Sequence, residues 1–150
     1  MPEILKPIVL VEDNLNDLEL TMHALTRARL ANEVITLRDG AEALDYLCCR
    51  GRWENRIKGN PAVMLLDIKL PKLNGLEVLE YIKQNPELRT VPVVMLTSSR
   101  EEPDLQRSYE LGVNAYVVKP VKFDDFLKAV QDLGIFWAVL NEPPPRISQT

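Results

Sequence analysis

Five short apolar runs punctuate the chain: PIVLV (7–11), EVITL (33–37), AVMLL (62–66), VPVVML (91–96) and AYVV (115–118). Their near-continuous apolarity and richness in valine and isoleucine suit strands covered on both faces, as in a parallel sheet. Between them, apolar residues recur at helical spacing. Leu15, Leu18, Met22 and Leu25 fall on one stripe of a helix predicted from about Leu15 to Ala28, with Asn14 or Asn16 as its cap. A second helix follows Asp39, with Ala43, Leu44 and Leu47 inward. A third carries Leu76, Leu79 and Ile82 and ends near Pro86. The fourth, 101–111, stops at Gly112 and has the weakest period; the fifth starts near Lys122 with Phe123, Phe126, Leu127 and Val130 inward. Strands alternating with helices imply right-handed βαβ units and a doubly wound α/β domain. RGRWENRIKGN (50–60) has no apolar period and reads as a solvated loop, long for such a connection.

Composition narrows the picture. At 150 residues and 46% hydrophobic content the chain has the size of one globular domain. A net charge of −4 and a pI near 5.1 argue against a nucleic-acid-binding face. No stretch approaches the roughly 20 apolar residues of a membrane span, and MPEILKP lacks the form of a signal peptide, so a cytoplasmic location without membrane contact is expected. Cys48 and Cys49 are adjacent, which suits reduced structural thiols on a helix rather than a disulfide or zinc site. His23 lies among polar positions and reads as a surface histidine.

The ends of the runs carry chemistry. In open α/β sheets ligands bind beyond the carboxyl ends of the strands. The first run ends in Glu12 and Asp13, the third in Asp67, the fourth in Thr97 and the fifth in Lys119. The second ends in Arg38 and Asp39, which an edge strand would place away from the centre. A charge at the end of a buried strand must be paired, bound to a metal or shifted in pKa. Two carboxylates about 4 Å apart repel by about 4 kcal/mol at an effective dielectric near 20, so Glu12, Asp13 and Asp67 together call for a cation. Oxygen donors of this kind suit Mg²⁺. With charge neutralised by metal and by Lys119, a carboxylate can attack a phosphoryl group. Asp67, alone at the end of a central strand, is the best-placed nucleophile. The Thr97 hydroxyl and the Lys119 ammonium could then meet the phosphoryl oxygens.

VEDN (11–14), LLDIKLPKLNG (65–75), LTSS (96–99) and YVVKP (116–120), in that order, resemble the receiver domain of bacterial two-component response regulators over about residues 6 to 133. The resemblance implies a flavodoxin-like (βα)5 fold, a five-stranded parallel sheet of order 2-1-3-4-5. It implies phosphotransfer from a sensor histidine kinase to Asp67, with Mg²⁺ (or Mn²⁺) held by Glu12, Asp13, Asp67 and the backbone carbonyl of Lys69. It also implies that Thr97 shifts toward the phosphoryl group, that Tyr116 rotates inward behind it, and that the Lys119-Pro120 bond is cis. A lysine at position 69 departs from the smaller or neutral polar residue more common there. It could pair with a phosphoryl oxygen, obstruct the hydrolytic water and slow phosphoryl loss, while the small Ser99 on the same approach could offset it.

Beyond the fifth helix the chain reads LGIFWAVLNEPPP (133–145) and closes on the proline-rich NEPPPRISQT. Residues 1–133 are read as the receiver domain and 134–150 as a C-terminal extension, with no output domain following. The extension is similar to the tails of single-domain regulators that partner phytochrome-type light-sensing kinases, in which the tail packs against a second subunit. Ile135, Phe136, Trp137, Val139 and Leu140 form an apolar block that would be a large exposed patch on a monomer, so a homodimer is expected, the alternative being a tail folded back on its own domain. Two other functions compete. A haloacid dehalogenase-type phosphatase also forms an aspartyl phosphate, but it uses a second aspartate two positions on, where this chain has Lys69. A phosphorylation-independent adaptor has no use for the intact set Glu12, Asp13, Asp67, Thr97 and Lys119.

Overall fold

The computed structural model describes residues 6–28, 30, 32–113 and 115–134. Five strands form a single parallel sheet: β1 (Ile8–Val11), β2 (Val34–Leu37), β3 (Val63–Asp67), β4 (Val93–Thr97) and β5 (Ala115–Val118), in the order β2-β1-β3-β4-β5. Helices α1 (Leu15–Arg27), α2 (Gly40–Leu47), α3 (Gly75–Gln84), α4 (Pro103–Glu110) and α5 (Phe123–Asp132) alternate with them. The flavodoxin-like (βα)5 arrangement expected from the sequence is thus the observed one. β1, β3 and β4 are buried at every position, which is why they read as unbroken apolar runs.

Side chains alternate across the sheet with a period of two, and this parity sorts the core into two halves. Val9, Val11, Met64, Leu66, Val93 and Met95 face α2, α3 and α4. Ile8, Leu10, Val63, Leu65, Val94, Leu96 and Val117 face the other way, onto Ala24 and Leu25 of α1 and Phe126, Ala129 and Val130 of α5. The helix starts follow the capping chemistry in the sequence. Asn14 accepts a hydrogen bond from the Asp17 amide at 2.9 Å, and Asp39 accepts one from the Glu42 amide at 2.7 Å. Asn74 and Glu77 form a reciprocal capping box at α3.

Two expectations need correction. Leu15 was placed on the inward stripe of α1, yet it is 60% exposed. It is the first residue of α1, directly after the Asn14 cap. The 50–60 loop is solvated but not formless. Residues Gly51–Trp53 form a 3₁₀ turn, and Trp53 packs edge-on against Tyr46 with ring centroids 5.0 Å apart. Arg56 stacks over the other side of that contact, 4.1 Å from the Tyr46 ring centre, and donates to the carbonyls of Tyr46, Ile57 and Gly59. A long connection is braced here by one guanidinium, whose planar fork matches several carbonyls at once. Cys48 and Cys49 are both half-buried free thiols, Cys48 lying 3.6 Å from the Tyr81 hydroxyl. His23 is exposed. The expected dimer residues Ile135, Phe136, Trp137, Val139 and Leu140 lie outside the described residues.

Candidate functional site

The carboxyl ends of β1, β3 and β5 deliver Glu12, Asp67 and Lys119 to one point. Strand parity puts all three on the α1/α5 side of the sheet, because they continue the rows of Leu10, Leu65 and Val117. Lys119 Nζ donates to Asp67 Oδ2 at 2.9 Å, to Asp17 Oδ2 at 3.0 Å and to Glu12 Oε1 at 3.4 Å. Glu12 is fully buried and Asp67 is 2% exposed, whereas Asp13 is exposed at the rim. The Lys69 amide donates to Asp67 Oδ1 at 3.1 Å, so both oxygens of Asp67 are held. The Lys119-Pro120 bond that follows is cis.

This charge balance is uneven. Burial pushes the Glu12 carboxyl up to about 8, the hydrogen bond and charge of Asp67 push the same way, and Lys119 pulls it down. For Lys119 itself, burial acts to lower the pKa, but hydrogen bonds to Asp67 and Asp17 and the charges of Asp67 and Glu12 carry it above its usual value. One ammonium therefore does not neutralise the carboxylates around it. Glu12, Asp13 and Asp67 each offer an oxygen within 4.8 Å of the others. A hard, all-oxygen set with excess negative charge fits a divalent cation such as Mg²⁺.

Thr97 and Tyr116 belong to the opposite row, with Met95, on the side of the sheet that carries α4. The Thr97 hydroxyl is engaged with Ser99 rather than with Asp67. It donates to the Ser99 carbonyl at 2.9 Å and accepts from the Ser99 amide at 3.3 Å. Tyr116 is half-buried and meets Tyr109 of α4 edge to face, with centroids 6.0 Å apart. In the unphosphorylated chain the Lys69 ammonium extends to Glu102 Oε1 at 3.5 Å and Asp104 Oδ2 at 3.7 Å at the start of α4.

Sequence reasoning missed two residues that the structure brings in. Asp17 reaches Lys119 from the first turn of α1, which starts just after the strand-end acids; an acid in that first turn was the available signal. Arg38, set aside as an edge residue, returns to the centre: its Nε donates to the Glu12 carbonyl at 3.2 Å and its Nη2 to the Asp13 carbonyl at 2.7 Å. It fixes the backbone that presents both acids.

Comparison with known proteins agrees with this geometry. The family model described as the response regulator receiver domain matches residues 8–131. Response regulator Rcp1 of Synechocystis sp. is 45% identical over 132 residues, 88% of either chain. Its structure, described as a Mn(2+)-bound form, has a TM-score of 0.71 and is covered to 94%, with 89% of this chain matched. The bacteriophytochrome response regulator RtBRR is 65% identical with a TM-score of 0.86, covering 97% of this chain and 87% of its own. The bacteriophytochrome response regulator AtBRR is 67% identical with a TM-score of 0.86, the match covering 94% of this chain and all of that one.

Proposed function

The chain belongs to the response regulator receiver domain family, and from that premise we propose that Asp67 accepts a phosphoryl group from a sensor histidine kinase. The observation that supports this most is the convergence of Glu12, Asp67 and Lys119 from three strand ends, with Asp67 ordered through both of its oxygens. A carboxylate so held has already lost the freedom that a bimolecular attack would otherwise cost. In the transfer, an Oδ of Asp67 forms a bond to phosphorus as the donor's P–N bond breaks, the imidazole leaving with the electron pair. Lys119 offsets negative charge on the acceptor side, and Arg38 keeps the Glu12–Asp13 backbone in place. Glu12, Asp13, Asp67 and the Lys69 carbonyl would hold Mg²⁺ or Mn²⁺, which supplies further neutralisation of phosphoryl charge when bound. Thr97 would turn from Ser99 to the phosphoryl oxygens and Tyr116 would follow it inward, carrying the change to α4.

Mixing the protein with acetyl phosphate and Mg²⁺ tests the reading. Intact mass should show one added phosphoryl group that persists after the donor is removed. Steady release of inorganic phosphate would instead point to a phosphatase, and no uptake to an adaptor. The donor in the cell is proposed to be a phytochrome-type kinase, a reading supported by the names of RtBRR and AtBRR. Leu15, 60% exposed beside the acid cluster, offers that kinase an apolar contact at the mouth of the site.

We also propose a homodimer built on Ile135, Phe136, Trp137, Val139 and Leu140, since this apolar block follows α5 directly and is too large to leave in water. Light scattering checks it. Phe136→Ser with Trp137→Ser should convert the full chain from dimer to monomer, and an unchanged dimer mass would place the interface elsewhere.

A further inference from the structure

We propose that Glu102 is a positioning residue that closes the phosphoacceptor cavity in the resting chain and withdraws when Asp67 is phosphorylated. This rests on the phosphoacceptor reading above and extends it to a residue outside the acid cluster. The space beside Asp67 is a cavity of about 20 Å³, walled by Asp67, Lys69, Thr97, Glu102 and Lys119. That is room for a single water molecule. A phosphoryl group is larger and brings a charge of about −1.5 to −2, and the wall it meets includes a carboxylate. Glu102 is held there: its side chain is only 15% exposed, and the Lys69 ammonium bridges it and Asp104.

The hydrogen bonds around Ser99 tie this plug to the threonine. The Ser99 carbonyl accepts the Thr97 hydroxyl at 2.9 Å and the Glu102 amide at 3.2 Å. When Thr97 turns to a phosphoryl oxygen, that carbonyl loses one of its two donors. Like charge then drives the Glu102 carboxylate out, and the turn that positions it has been loosened in the same step. Withdrawal has two consequences. Lys69 exchanges a carboxylate partner for a phosphoryl oxygen, so the group is held longer. The first turn of α4 loses the Glu102 oxygen that accepts from the Asp104 amide, a weak cap at 3.5 Å. Phosphorylation at the end of β3 is thereby read out at the start of α4.

Full-length protein, Mg²⁺ and acetyl phosphate are the materials, with intact mass followed in time. In the reaction the Asp67 Oδ–P bond forms as the P–O bond to acetate breaks, acetate leaving with the electron pair. Glu102→Gln should speed uptake about tenfold, the effect of removing one like charge at roughly 10 Å in an effective dielectric near 20. Glu102→Ala, which also removes the cap, should speed it comparably. Asp104→Asn changes the net charge equally but lies farther out, off the cavity wall, and should speed uptake by no more than about half as much as Glu102→Gln. After donor removal, E102Q should keep its phosphoryl group longer than wild type, and E102Q with K69Q should lose that gain. E102Q and E102A rates within twofold of wild type, or an equal acceleration in D104N, would overturn the role of Glu102 while leaving the phosphoacceptor intact. A wild-type chain that takes up no phosphoryl group would overturn both.

Discussion

Asp67→Asn is expected to accept no phosphoryl group from acetyl phosphate and, in chelator at pH 8, to unfold at a higher urea concentration than wild type. The first result follows because an amide oxygen is a poor nucleophile toward phosphorus. The second follows from the crowding of negative charge. Burial, together with the hydrogen bond and charge of Asp67, raises the Glu12 carboxyl from 4.5 to about 8. In the folded chain Glu12 therefore binds a proton more tightly than in the unfolded one. Between pH 4.5 and about 8 the folded state carries more protons, so metal-free stability falls as pH rises through that window. Asparagine at 67 removes the charge nearest to Glu12, while Lys119 keeps Glu12 and Asp17 as partners. The slope of stability against pH should flatten, with the gain largest near pH 8 and fading toward pH 5. Urea unfolding across that range measures it, and Mg²⁺ should stabilise wild type more than the variant. A variant less stable than wild type at pH 8 would show that the Lys119–Asp67 pair outweighs the repulsion.

Gly75→Ala is expected to cost about 3 kcal/mol of stability and to slow phosphoryl uptake at least tenfold. A β-carbon on Gly75 would stand 2.2 Å from the Asp67 carbonyl oxygen and 2.8 Å from the Ile68 Cα. Both are backbone atoms, so no side chain can swing aside. The Gly75 amide also donates to the Ile68 carbonyl at 2.8 Å, which folds the 68–74 loop tightly against the strand end. Relief must come from moving either the end of β3 or the start of α3, and the first displaces the nucleophile. Urea unfolding and the acetyl phosphate assay give the two readings. A loss below about 0.5 kcal/mol would mean that the loop yields freely.

The sequence places Gly75 in the turn after Asp67 but gives no sign of how close the two backbones come. The same contrast runs through the molecule. The Asn14 cap and the helix start after Asp39 were legible, because a cap is a local hydrogen bond between residues three apart. α4 was the hardest helix to bound from the sequence. It buries only Leu105 and Ser108, so its apolar period is short. The bracing of the 50–60 loop was invisible, since Arg56 works through carbonyls that any sequence would supply.

By itself the sequence determined the five strands, their parallel pairing and the convergence of Glu12, Asp67 and Lys119. Unbroken apolar runs can be buried only in a sheet covered on both sides, and such a sheet opens its binding crevice at the carboxyl ends of its strands. Only the tertiary structure decided which charge answers which. Asp17 and Arg38 enter the site, the Lys69 ammonium pairs with Glu102 and Asp104 at its wall, and Thr97 rests on Ser99. Such choices turn on differences of an ångström or two between side chains distant in sequence, and Coulomb energy resolves those distances where composition and period do not.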